Sequence, residues 1–296
     1  MPNYQYPAPP PTISGDNFTI SRFLQNPAFI TRRLKTLSEQ RFISDRMLSQ
    51  RVTVNGGAIQ FQQNESIYAV DPVETIQPGA EYPLTDLGVG PAVVKSVDKY
   101  GFDTYVTDEA IRRSNFDIID RAMIKMSNSI VQKIDVIALA ALAAAPIPTQ
   151  VGSDWGAANA PIIEQLVDAM NTIVSKNQGY MPDTLVIDDT RWTDIMKNAP
   201  IREALPRETG NSAVQSGTMS PLLGLRQVLR TSAANMPAAN TVYVLDSSQL
   251  GGMADELPLQ GTSMRDDQRE RWRLRVRRIT VPFIHEPDAA VAINSV

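Results

Sequence analysis

Few side chains in this sequence could carry chemistry. A single histidine, His285, stands between Ile284 and Glu286 and close to two prolines, in a pattern that reads as a turn. A Ser/His/Asp hydrolase would have to recruit it, yet no Gly-x-Ser-x-Gly elbow occurs, and a lone histidine in a turn is ordinarily structural. The doublets Asp188-Asp189 and Asp266-Asp267 offer carboxylates for a divalent cation. Adjacent residues on a strand point to opposite sides, however, so a helix cap at Asp189 and a turn at Asp266 suit them better. There is no Gly-x-x-x-x-Gly-Lys loop and no Gly-x-Gly-x-x-Gly after a strand, and with no cysteine there is no thiolate, iron-sulfur or disulfide chemistry. The sequence therefore offers no catalytic residue, metal site or cofactor site, and it reads as a non-enzyme.

The strongest charge pattern lies near the end of the chain. Arg271, Arg273, Arg275 and Arg277 alternate with Trp272, Leu274 and Val276, which on a strand makes one apolar face and one ladder of guanidinium groups. Three readings stay open for the ladder: contact with a phosphate backbone, a solvated strand face, or a docking surface for the carboxylates of another copy. A counterpart exists upstream. Residues 52–94 contain no Lys or Arg but carry Glu65, Asp71, Glu74, Glu81 and Asp86, an acidic surface for any partner. On the third reading, Glu65, Asp71, Glu74 or Glu81 of one copy would meet Arg271, Arg273, Arg275 or Arg277 of another.

These residues need elements to hold them. The 296 residues allow roughly two compact domains, and a net charge of -4 gives no global reason to bind nucleic acid. The longest apolar stretch, around Val136 to Ala145, is too short to cross a membrane, and the opening MPNYQYPAPPPT does not read as an export signal. Met1 to Asp16, with Pro9, Pro10 and Pro11, favours an extended arm, and Pro27 to Leu48 reads as a basic amphipathic helix. Arg51 to Val54 and Ala58 to Phe61 flank Asn55-Gly56-Gly57 as a hairpin, followed by a polar segment repeatedly broken by proline and glycine up to Gly90-Pro91.

Ala92 to Val106 reads as strand, with Thr107, Asp108 and Glu109 capping a helix that ends at Pro146 and divides near Ser114. Within it Ile119, Met123, Met126, Ile130, Ile134 and Ile137 recur at threes and fours, the spacing of one buried face. Beyond lie a second amphipathic helix from Pro161, a strand at Thr184 to Ile187, a short helix at Asp189 to Asn198, strands at Gly224 to Thr231 and Asn240 to Asp246, and a last strand at Ala289 to Ile293.

This order resembles the tailed-phage major capsid protein family with the Hong Kong ninety-seven type fold. The resemblance is carried by Val73 through Gln77-Pro78-Gly79-Ala-Glu81-Tyr-Pro83, by Lys99-Tyr-Gly101, by the Thr107-Asp108-Glu109 helix start, and by Val281-Pro282 before Ala289-Ala290. It implies an α+β capsid fold with an N-terminal arm and amphipathic helix (1–50), an extended hairpin loop (51–92) lying across a neighbour, and a peripheral domain with a spine helix and antiparallel sheet (93–150). An inserted α/β axial domain (151–261) and return strands of the peripheral domain (262–296) complete it.

The implied function is self-assembly into hexamers and pentamers of an icosahedral head around double-stranded DNA, built in the host cytoplasm and present in the virion. Packaged DNA would contact the inner face without sequence specificity; portal, scaffold or decoration proteins would be further partners, and no membrane or cofactor is implied. An encapsulin-like nanocompartment shell shares the fold, and a nucleic-acid-binding protein using the Arg strand is the alternative of another class. Some family members crosslink a lysine of the extended loop to a neighbour, but this loop has no lysine, so that chemistry is not expected here.

Overall fold

The structure, a computed structural model, describes residues 27–38, 42–86, 88–114, 117–157, 159–204 and 224–296. The expected arm, Met1 to Asp16, lies outside the described residues. The chain divides into two compact units, and the α+β class holds in both.

The first unit comprises Met1–Gln40, Tyr100–Ile130 and Pro258–Arg278. Helix α1, Pro27–Ser38, buries Ile30 and Leu34. It seats on Gly261, where a Cβ would stand 2.6 Å from Leu34 Cδ1 and 2.7 Å from Ile30 Cγ2. The Thr31 hydroxyl donates to the Gly261 carbonyl at 3.0 Å, fixing the helix on the strand at the one residue small enough to admit it. Strand β4, Asp98–Thr107, runs beside β10, Arg271–Ile284. Helix α3, Asp108–Ser114, starts as expected, with the Ala110 N–H donating to Thr107 Oγ1 at 3.3 Å.

Helix α4, Asp117–Ala144, is the expected rod, and at about 1.5 Å per residue it is roughly 40 Å long. Its residues Ile119, Met123, Met126, Ile130 and Ile134 are buried at the expected spacing; further on the buried residues are Ala138, Leu139 and Leu142, while the expected Ile137 is only partly covered. By length and composition alone, Ile118–Ala144 could cross a membrane, which corrects the view that no segment is long enough. Half of its most apolar window is already covered by the fold, as in the core helix of a globular protein.

The second unit comprises Arg41–Lys99, Val131–Leu257 and Ile279–Val296. The basic helix expected over Pro27 to Leu48 is instead two helices, because the N-terminus of α2, Ser44–Met47, is held separately by the buried carboxylate of Asp135. A five-stranded sheet in the order β5-β11-β8-β6-β7 forms the centre of this unit: β5 is Thr149–Val151, β6 Thr184–Asp188, β7 Gln227–Thr231, β8 Thr241–Leu245 and β11 Ala290–Asn294. Strands β6 and β8 are buried at every position, as in a sheet covered on both faces. Helix α5, Ile162–Val174, covers β11 and β8, while α6, Asp189–Lys197, covers β6 and β7 and is followed by α7, Ala199–Ala204. The last strand, β11, sits between β5 and β8, antiparallel to β8 and parallel to β5.

The hairpin expected around Asn55-Gly56-Gly57 does not form. Gly56 and Gly57 do turn the chain with positive φ, but β1, Gln50–Thr53, pairs in parallel with β9, Gly251–Asp266, and β2, Ala58–Gln62, pairs antiparallel with β3, Ala92–Ser96. The turn therefore switches partners, and the true hairpin is the long one, closed by β2 and β3 with residues 63–91 as its loop. Val54, Ile59, Ala254 and Phe283, flanked by Phe61, Val97 and Val281, make the small core under it.

Candidate assembly surfaces

Loop 63–91 is tethered at its root. Gln63 N–H donates to Pro91 O at 3.0 Å and its side-chain Nε2 to Ile284 O at 3.3 Å; Asn64 N–H donates to His285 O at 2.9 Å. The Glu65 N–H donates to the Glu286 carboxylate, which also accepts from the Tyr180 hydroxyl at 2.7 Å, and Ile67 N–H donates to Gln178 Oε1 at 3.0 Å. Burial raises the Glu286 carboxyl above its ordinary value, and the bonds from Tyr180 and Glu65 partly oppose that. His285, the residue weighed as a hydrolase base, has its imidazole half-buried beside Phe283, which lowers its pKa by desolvation, and its buried Nδ1 has no partner among the described residues. It serves the loop through its backbone carbonyl.

Beyond Ile67 the loop has little of its own to hold it. Its cross-links are Val70 N–H to Asp86 O at 3.2 Å, Asp71 N–H to Thr85 Oγ1 at 3.2 Å, and a turn at Pro78-Gly79 closed by Ala80 N–H to Gln77 O at 3.0 Å. Its apolar side chains point into solvent: Val73 is 103% exposed, Leu84 98% and Tyr82 80%. Single exposed apolar residues are ordinary; a run of them on an arm without a core marks a surface meant to be covered. Glu65, Asp71, Glu74 and Glu81 are all exposed, and among the described residues none of them is in an ion pair.

The arginine ladder forms on β10 as expected, with Leu274 and Val276 fully buried on the opposite face. Its partners were not foreseen. Arg275 donates to both carboxylate oxygens of Asp103 on β4, Nε to Oδ1 at 2.7 Å and Nη2 to Oδ2 at 2.9 Å, and Arg273 reaches the same carboxylate at 2.5 Å. Hydrogen bonding from Arg275, ahead of the surrounding positive charge, holds the Asp103 carboxyl below its ordinary value. Arg271 donates from Nε to Asp266 Oδ2 at 2.8 Å and lies over the Tyr105 ring at 4.5 Å. Arg277 Nε is buried with no partner among the described residues. Three guanidinium groups thus share two carboxylates, and with Arg277 added the ladder stays cationic, with Arg273 half exposed at 51%.

The acidic doublets are structural, with one change of role. Asp188, not Asp189, caps α6 by accepting from Arg191 N–H at 2.9 Å, while Asp189 pairs with Arg230 at 2.5 Å. Asp266 flanks the turn Asp267–Arg269, as expected. No cluster of metal-ligating side chains occurs among the described residues. Asp103, Tyr180, Gln178 and Glu286 had no sequence signal, since each acts on a strand or loop remote in the chain.

The structure thus presents an acidic arm bonded at its root and a cationic strand face. A family model described as phage capsid protein matches residues 91–293, more than half of the chain. The chain belongs to the phage capsid protein family. Solved structures agree on the fold. The capsid of Cyanophage P-SCSP1u aligns over 86% of this chain and 88% of its own, with 16% identity and a TM-score of 0.63. The mature capsid of bacteriophage PhiM1 aligns over 83% and 84%, with 12% identity and a TM-score of 0.61. A virus-like particle from Pyrococcus furiosus aligns over 90% and 97%, with 11% identity and a TM-score of 0.63. No curated protein matches the sequence. The capsid protein is thus a structural component of a phage shell that assembles with copies of itself, and the expected Hong Kong ninety-seven type fold is borne out.

Proposed function

We propose that this capsid protein is the major subunit of a tailed-phage head, forming the hexamers and pentamers of an icosahedral shell around double-stranded DNA, and that it assembles in the host cytoplasm. The observation that carries this reading is the loop 63–91, bonded at its root and bare of cover at Val73, Tyr82 and Leu84, which a neighbouring copy would bury. In this assignment Tyr100–Ile130 and Pro258–Arg278 belong to the peripheral domain, and the five-stranded sheet is the centre of the axial domain meeting its copies about the symmetry axes. Glu65, Asp71, Glu74 or Glu81 of one subunit faces Arg271, Arg273, Arg275 or Arg277 of another. Arg273 is the most available rung, and Glu65 lies nearest the root. Each exposed pair would contribute only about 0 to 1 kcal/mol, so these charges set register and salt sensitivity while apolar burial supplies affinity.

Electron microscopy of the purified protein tests the reading: closed shells with five-fold and six-fold clusters are expected, and a protein that stays monomeric under all assembly conditions would overturn it. The likeness to the Pyrococcus furiosus virus-like particle favours a second reading, a compartment holding protein cargo. The contents of native particles separate the two, DNA in one case and a packaged protein in the other.

A further inference from the structure

We infer that Glu286, Tyr180 and Gln178 form a clasp that aims the extended loop within a single subunit, before any neighbour arrives. The inference rests on the loop being an intersubunit arm. It starts from an uneven distribution of bonds. Residues 63–67 are fixed from three directions: by Pro91 on the returning strand of the hairpin, by the carbonyls of Ile284 and His285 with the Glu286 carboxylate beyond them, and by Gln178. Among the described residues, the tip has only the sparse cross-links between its own two limbs. An arm held this way can flex at its end but cannot swing at its base.

The clasp has the build of a positioning device. Glu286 is a bridge: one carboxylate accepts from the Tyr180 hydroxyl at 2.7 Å and from the Glu65 backbone, joining the segment after α5 to the loop root. Charge-assisted bonds of this kind are stronger and shorter than neutral ones. The Tyr180 ring is buried, so its hydroxyl is delivered to Glu286 by packing and not by chance rotation. The turn that presents Gln178 and Tyr180 is itself specified, with Asn177 at φ 53° and Gly179 at φ 77°. Gly90 completes the root, since a Cβ there would lie 2.5 Å from the Gln63 carbonyl oxygen, so the two limbs of the loop close on each other only because that residue is glycine. Lys176 pairs with the neighbouring Asp288 at 3.1 Å, next to the clasp.

Such a clasp matters because an arm that reaches its neighbour already aimed loses less conformational freedom on binding than one that must be ordered there. Assembly then selects subunits whose loops are correctly set.

The test separates the clasp from the arm. In unassembled wild-type protein, hydrogen exchange is expected to show protected amides at Glu65 and Ile67 and fast exchange at exposed, unbonded positions of the loop. The Glu286→Ala and Gln178→Ala double variant should speed exchange at those two amides by about tenfold or more, and Tyr180→Phe should do so less at Glu65, as expected for losing hydrogen bonds of this class. The double variant should also yield fewer closed shells, with Glu286→Gln closer to wild type because it keeps an acceptor. A Tyr82→Ser and Leu84→Ser variant serves as the control for the arm itself. If the tip variant assembles normally, the arm reading fails; if it fails to assemble while the double variant forms wild-type shells, or if the two amides exchange equally fast with and without the clasp, the inference is overturned.

Discussion

Asp135 offers the sharpest test of how this subunit is held together. It lies on α4 with only 3% of its surface exposed, and its Oδ1 accepts from the Ser44 N–H at 2.9 Å, capping α2. Burial raises its carboxyl from 3.8 to about 6, outweighing the bonds from Ser44 and Ile43. The folded state therefore prefers the protonated acid. Its contribution to stability is complete below about pH 4 and is lost as the pH rises through about 6, the opposite of a salt-bridged carboxylate. The interval corresponds to about 3 kcal/mol at pH 7, taking about 1.4 kcal/mol for each pH unit. Asp135→Asn keeps an oxygen to accept from Ser44 but carries no charge. Urea unfolding of the unassembled subunit, followed by tryptophan fluorescence from the buried Trp155 of the same unit, should show the wild type losing stability relative to the variant between about pH 4 and pH 7. Parallel pH profiles for the two proteins would refute the reasoning, because they would mean that the carboxylate is ionised in the fold without cost.

Other perturbations act on packing and on the joining surfaces. Gly101→Ala would bring a Cβ to 2.5 Å from the Val276 carbonyl and against Arg277, and should lower stability by about 1 to 3 kcal/mol, read as a drop in Tm. Val73→Ser with Leu84→Ser should leave the Tm of the free subunit within about 1 °C, since both side chains are already in water, while abolishing closed shells in negative-stain images. Arg273→Glu should change subunit stability by no more than about 1 kcal/mol but impair assembly, with the wild-type protein itself assembling less readily at high salt; light scattering across a salt series checks both.

What could be read from the sequence was what depends on near neighbours. The periodicity of Ile119, Met123, Met126, Ile130 and Ile134 specifies α4 because a helix repeats every few residues, and Thr107 announced the start of α3 because a cap acts within one turn. The Asn55-Gly56-Gly57 signal reads as a hairpin because it reports a turn and says nothing about which strands meet beyond it; the partner of β1 lies about two hundred residues on. Strand β9 was missed because Gly251, Gly252, Pro258 and Gly261 interrupt its alternation, and at Gly252 and Gly261 the interruption has a cause, the close approach of Gln50 and of α1. The ladder of Arg271 to Arg277 was plain, but Asp103, which claims two of its rungs, is a single carboxylate on a distant strand and leaves no pattern. The clasp on the loop root was invisible for the same reason.

The pairing of β1 with β9, and of the loop root with residues 284–286, has a consequence for synthesis. A ribosome delivers the acidic loop early and its anchors late, and contacts so distant in sequence form slowly. A nascent or broken chain lacking 251–294 has no β9 to pair with β1, no β11 to complete the central sheet, and no Glu286 to set the arm. Only a subunit in which residues 251–294 have folded can present its loop in the bonded pose, so the fold itself delays recruitment into a shell until those strands are in place.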